Sequence, residues 1–203
     1  MTTSIPSARF LAVLAAIDRK NAEDPRQEAV GGTMRSREAV YAERMSECLL
    51  RLYPAASEEL RIAARAQHIC RWQIARDGFA LGREGYNAWR AACRDHHAAL
   101  ITEIMRDHGN GDPEIARVVR LIRKQDLKRD PESQALENVV AAVFVEHYLG
   151  AFIEDHSDYG EAKLVGILRK TMRKMDAAGH AAVMTLDLPP SIRQLIAIAM
   201  NGG

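Results

Sequence analysis

The stretch PESQALENVVAAVFVEHYLGAFIED, residues 131–155, constrains this fold more than any other part of the chain. Between Ala135 and Ile153 it is apolar on nearly every face of a helix. A helix without a polar face is stable only inside a shell of other elements. The same helix carries Glu137, Asn138, Glu146 and His147. A buried carboxylate neutralises, finds a cation or binds a metal. This element therefore predicts a central core helix that also places acids inside the molecule.

The rest of the chain supplies the shell. Helix-period patterning dominates and strand-like alternation is almost absent, so the expected fold is all-α, one globular multi-helix bundle over residues 1–203. Ser7 caps a first helix carrying Phe10, Leu11, Leu14 and Ile17, and DPRQEAVGGT follows as a long loop. Ser36 and Ser57 cap the second and third helices. The third is expected to carry Leu60, Ile62, Ala64 and Ile69, with His68 in its apolar stripe. RDGFALGREGY is a glycine-bearing connector to a long fourth helix, about Glu84 to His108. Asp112-Pro113 and Asp130-Pro131 open the fifth and sixth helices. Helices near Glu161–Met175 and Ser191–Met200 close the chain.

Composition excludes several function classes. With 203 residues, 47% apolar and 27% charged, the chain has the make-up of a soluble globule. No apolar run reaches the ~20 residues of a membrane span. The opening MTTSIPSARFLAVLAAIDRK reads as an amphipathic helix rather than a signal peptide, so the expectation is a cytoplasmic protein without a membrane partner. Cys48, Cys70 and Cys93 form no CxxC and read as buried free thiols. A net charge of +1 gives no global pull toward nucleic acid.

The residues suited to chemistry lie far apart. His68, the adjacent His96 and His97, and Glu137 could converge in space. Imidazole plus carboxylate suits a divalent metal ion, the cofactor this pattern predicts. Helix neighbours point about 100° apart, so His96 and His97 cannot both face one site. Buried, hydrogen-bonded core histidines are the competing reading. Arg65, one helical turn before His68, and Lys124 are candidates to steady a phosphate. Glu146 completes the catalytic candidates, with pairing to a buried arginine as its alternative. Arg83, Arg90 and Arg94 could present a fork to an anion. RVVRLIRKQDLKR, residues 117–129, and LRKTMRKM, residues 168–175, are basic faces. They read as solvated surface or as contacts to phosphate, including RNA, though no aromatics interleave them. The chain has no HExxH, no Glu-x-x-His pair, no phosphate loop and no GxSxG elbow.

Several blocks in order carry a resemblance: ARAQHICRW, GREGYNAWR, a helix with paired histidine, LKRDPESQALENVVAAVFVEHYL and ILRKTMRKM. From about Ser36 to the C-terminus the chain resembles the domain-of-unknown-function family numbered 4202. The family pattern has Leu-Glu-Asp where this chain has Leu136-Glu137-Asn138. The resemblance implies one anionic group fewer at that point. The order of His68, His96-His97 and Glu137 is more distantly similar to HD-domain phosphohydrolases, without their strict His-Asp pair. That likeness implies metal-dependent hydrolysis of a nucleotide or other small phosphorylated molecule. A non-catalytic helical binding protein, contacting RNA or a second copy of itself, is the alternative.

Overall fold

A computed structural model describes residues 6–201. The first five residues of the opening stretch lie outside the described residues. The fold is all-α as expected, with one small sheet among the described residues. The chain divides into two compact units, Met1–Asp126 and Leu127–Gly203.

In the first unit, α1 (Ala8–Ala22) starts where Ser7 Oγ accepts the Phe10 N–H. Ser7 also donates through its N–H and Oγ to Glu58 at 2.6 and 2.7 Å, which ties this cap to the start of α3. Phe10, Val13 and Ile17, spaced by three and four residues, form the buried stripe. The segment expected as a loop instead forms an antiparallel hairpin, β1 (Gln27–Val30) and β2 (Thr33–Ser36). Gly31 and Gly32 both have positive φ, at 56° and 82°, as a two-residue hairpin turn of the twist-matched type requires. Four-residue strands are too short for periodicity to register, and the Gly-Gly pair was the legible signal. Paired Arg35–Glu43 and Arg44–Glu28 contacts clip the hairpin to α2 (Arg37–Leu52). Ser36 does not cap α2 with its side chain; its Oγ donates to the Ala22 carbonyl.

Ser57 caps α3 (Glu58–Arg65) as expected, accepting from the Leu60 N–H. The helix ends at Arg65, well before His68. Residues 66–70 are a chain of turns, and Cys70 closes it in the left-handed region at φ 52°. α4 (Gly82–Asp107) and α5 (Asp112–Ile122) match their expected extents closely. α3 packs on α2 and α5, and α4 packs on α5 and α1. Cys48, Cys70 and Cys93 are buried free thiols, and burial raises the Cys70 pKa to about 11.

In the second unit, Asp130 caps α6 (Pro131–Val143) by accepting the Glu132 N–H. The apolar segment is one helical run from Pro131 to Asp155. It is interrupted in register by a π-turn at Phe144–Tyr148 before α7 (Leu149–Asp155). By length and composition this run could cross a bilayer, but half of its most apolar window is buried in the fold. α8 (Glu161–Met172) packs along α10 (Pro190–Asn201). Between them in sequence comes α9 (Ala177–Met184), which the sequence patterning did not resolve. α9 packs on α6 through Asp176, whose carboxylate accepts from both the Gly179 N–H and Asn138 Nδ2.

Candidate functional site

The turn after α3 does what a helix there could not. The Arg71 N–H donates to the His68 carbonyl, and the Arg71 side chain folds back onto the imidazole. Arg71 Nη1 lies 2.5 Å from His68 Nε2 and 3.2 Å from Nδ1. His68 Nδ1 faces the Glu38 carboxylate at 3.5 Å. His68 is a neutral ring, and Arg71 Nη1 meets both of its nitrogens, lying nearer Nδ1 than the Glu38 carboxylate does. Tyr41 stacks on it at 3.8 Å between centroids and 10° between planes, which holds the ring plane.

Electrostatics agree with that assignment. Burial, then Arg71, Lys124, Arg90 and Arg26, hold the His68 pKa well below the ordinary imidazole value. Burial pushes Glu38 up, while Arg71 and Arg26 pull it back. Arg26 bridges Glu38 at 2.7 Å and Asp24 at 3.0 Å, and Asp24 Oδ2 accepts the Glu38 N–H. The segment leading into the hairpin therefore fixes the carboxylate that faces His68.

His97 lies beside His68, with ring centroids 6.2 Å apart. It is the inward member of the pair on α4, 2% exposed, on a stripe with Cys93, Ile101 and Met105. Burial, then His68, Arg71 and His96, depress its pKa to about 2. Both ring nitrogens of His97 lack a hydrogen-bond partner, as does His96 Nε2, which is half-buried. A buried imidazole with neither nitrogen bonded is uncommon in folded proteins.

Two arginines border the cluster with no carboxylate within 4 Å of either among the described residues. Arg71 packs over Trp89 at 4.6 Å, and Arg90 over Tyr86 at 5.9 Å. Neither makes an ion pair among the described residues. Trp89 Nε1 donates to the Ile74 carbonyl at 2.8 Å, which locks the ring under Arg71. Gly85 lets the start of α4 approach so closely, since a Cβ there would meet the Ala80 carbonyl oxygen.

The other expected site residues are placed as follows. Arg65 does not reach His68: α3 ends at Arg65, so the one-turn spacing never forms, and its Nε is held by Asp18 at 2.6 Å. Lys124 lies close enough to depress the His68 pKa, with its backbone in the left-handed region at φ 55°. Arg83 is exposed at the start of α4, and Arg94 is half-buried beside Cys93. In the second unit, Glu137 is buried with Lys174 Nζ 3.8 Å away. Glu146 sits in the π-turn, 3.8 Å from His147 Nε2. Among the described residues, no three His, Cys, Asp or Glu side chains form a group that could hold a metal ion. The basic face of α5 is partly neutralised, with Arg120 on Asp126 and Arg123 on Asp95.

Asn138 is fully buried and structural. Its Oδ1 accepts from Gln134 Nε2 and the Asp176 N–H, and its Nδ2 donates to Asp176 Oδ1 at 2.8 Å.

Arg71, Glu38, Tyr41 and Arg26 were missed as site residues by sequence reasoning. Arg71 had a local signal, three residues after His68, but a helical reading sends it elsewhere. Glu38 and Arg26 reach the site only through the hairpin. No curated protein and no solved structure matches the chain. The family model described as "Domain of unknown function (DUF4202)" matches residues 11–196, which takes in most of α1 and the whole hairpin. The chain belongs to the DUF4202 family.

Proposed function

We propose that the first unit binds a small phosphorylated molecule, such as a nucleotide, and hydrolyses its phosphate ester. Arg71 and Arg90 hold the phosphoryl oxygens, and neutral His68 accepts the proton of the attacking water. The observation that carries this reading is Arg71 itself. It is a half-buried guanidinium held between an imidazole and an indole; its charge pulls the Glu38 pKa down, but no carboxylate lies within 4 Å of it among the described residues. Such a group is a preorganised oxyanion donor. Lys124 adds positive potential at the same place. In the reaction, water oxygen forms the new bond to phosphorus while its proton passes to the imidazole. The ester P–O bond breaks, and the leaving oxygen takes a proton from solvent.

A second reading keeps the divalent ion and the HD-type mechanism. The unpartnered nitrogens of His97 beside His68 favour it. His97 and His68 would be its protein ligands, and an ion there would lower the pKa of a bound water. Arg71 would have to move away first, because its charge beside the His68 ring opposes a cation there. RNA contact through α5 draws less support, since Arg120 and Arg123 already have carboxylate partners.

Phosphate release from a panel of nucleoside, sugar and other small phosphate esters tests the proposal. His68→Gln and Arg71→Met should each lower kcat/KM by about 10²-fold or more. Turnover unchanged by both substitutions would refute it. Elemental analysis of the purified protein separates the two readings: a stoichiometric divalent ion selects the second.

A further inference from the structure

We propose that Tyr86 is a stacking platform at the solvent end of the anion site, so that the ligand is a nucleotide: a phosphate ester joined through a sugar to an aromatic base. This rests on the proposed anion site and adds the class of molecule that carries the phosphate.

The start of α4 presents two large apolar side chains to solvent. Leu81, the residue that precedes the helix, is 94% exposed, and Tyr86 is 44% exposed. Tyr86 belongs to a pair of rings. Its centroid lies 5.7 Å from that of Trp89, with the planes tilted by 46°. Each ring of the pair carries one arginine of the anion site, Arg90 on Tyr86 and Arg71 on Trp89. The bond from Trp89 Nε1 to the Ile74 carbonyl fixes the indole, and the close approach of Ala80 to Gly85 fixes the first turn of α4.

The helical period gives this arrangement a direction. Tyr86, Arg90, Cys93 and His97 recur at spacings of four, three and four residues, which places them on one face of α4. Along that face the side chains pass from exposed Tyr86, through half-buried Arg90, to buried Cys93 and His97. His97 is the end that lies beside His68. A phosphoryl group held by Arg90 and Arg71 therefore has the buried histidines on one side and Tyr86 on the other. The remainder of the ligand extends toward solvent, over the tyrosine. An exposed aromatic ring next to a cationic pair suits a flat π surface joined to an anion, which is the make-up of a nucleotide. A sugar phosphate reaches the arginines and leaves the ring uncovered. Stacking of a base on an aromatic side chain raises affinity by about 10-fold or more. Every base has a π face, so Tyr86 selects for the presence of a base and not for its identity.

Calorimetric titration of the full-length protein with two matched ligands at low salt tests this. They are the phosphonate analogues of adenosine monophosphate and of ribose phosphate, in which a methylene replaces the ester oxygen so that neither is hydrolysed. The wild type should bind the adenosine ligand at least ~10-fold more tightly than the ribose ligand. Tyr86→Ala should close that gap while leaving the ribose ligand's affinity unchanged, and Tyr86→Phe should keep the gap. Tyr86→Leu, which fills the same place without a π face, replaces the alanine variant if that protein does not fold. Equal binding of both ligands by the wild type, or a gap that survives loss of the ring, would overturn the stacking platform and leave the anion site standing. If neither phosphonate nor inorganic pyrophosphate binds at low salt, the anion site and the platform both fall.

Discussion

At the scale of single residues, charge and burial decide what the site can do. His97 makes this measurable without any substrate. Its folded pKa is about 2, against an ordinary 6.5 when unfolded. Between those values the unfolded chain binds a proton that the folded chain refuses. The stability due to neutral His97 is therefore complete above pH 6.5 and declines as pH falls. The expected slope is about 1.4 kcal/mol per pH unit for one such group. Chemical denaturation of His97→Asn from pH 7 to 4 should show a shallower loss than the wild type by about that slope. Equal slopes would mean that His97 is protonated in the fold. The buried histidine of the adjacent pair was not readable from sequence, because both positions fit the helical period. What distinguishes them is the packing of α4, which turns the Cys93–His97–Ile101 stripe inward.

At the scale of elements, helix signals read well and tertiary knots did not. Serine caps and Asp-Pro starts act through local backbone geometry, so the starts of α1, α3, α5 and α6 were legible. The hairpin, α9 and the π-turn depend on contacts that local pattern does not encode. α9 shows the reason. Its mixed apolar face gives no clear stripe, and it is held by Asp176, which bonds Asn138 across 38 residues. That knot predicts that Asn138→Asp is destabilising in this chain. The new carboxylate would face Asp176 Oδ1 at 2.8 Å and lose the Nδ2 donor. Thermal unfolding should show a loss of roughly 2 kcal/mol at pH 7, shrinking as pH falls toward 4 and the pair shares a proton. An Asn138→Asp protein as stable as wild type at pH 7 would contradict the assignment. His68 illustrates the same limit from the other side. It was singled out correctly as unusual, but assigned to a helix that ends three residues earlier, so its partner was taken to be Arg65 instead of Arg71.

At the scale of the molecule, all-α architecture followed from composition and period, while the division into two compact units at Asp126–Leu127 left no mark in the charge pattern. Its trace is conformational. Lys124, Asp126 and Lys128 all have positive φ, in a run of turns between α5 and α6. Exposed turns at a unit boundary are preferred sites of proteolysis. Brief trypsin treatment should cut first at Lys128 or Arg129, leaving fragments of about 14 and 8 kDa that resist further digestion. First cuts inside α4 or α6 would argue against two cooperatively folded units. The candidate site in the first unit draws on five segments distant in sequence: the hairpin entry, α2, the turn after α3, α4 and the turn after α5. Only His68, His97, Arg90 and Lys124 of its members could be named in advance, since each lies in a motif-like block.

The central claim is that Arg71 is an oxyanion donor, and calorimetric titration of pyrophosphate tests it most directly. Wild-type protein should bind in a saturable, salt-weakened manner, and Arg71→Met should bind at least ~10-fold more weakly with its fold intact. Equal binding by both proteins, or no binding by the wild type at low salt, would contradict it.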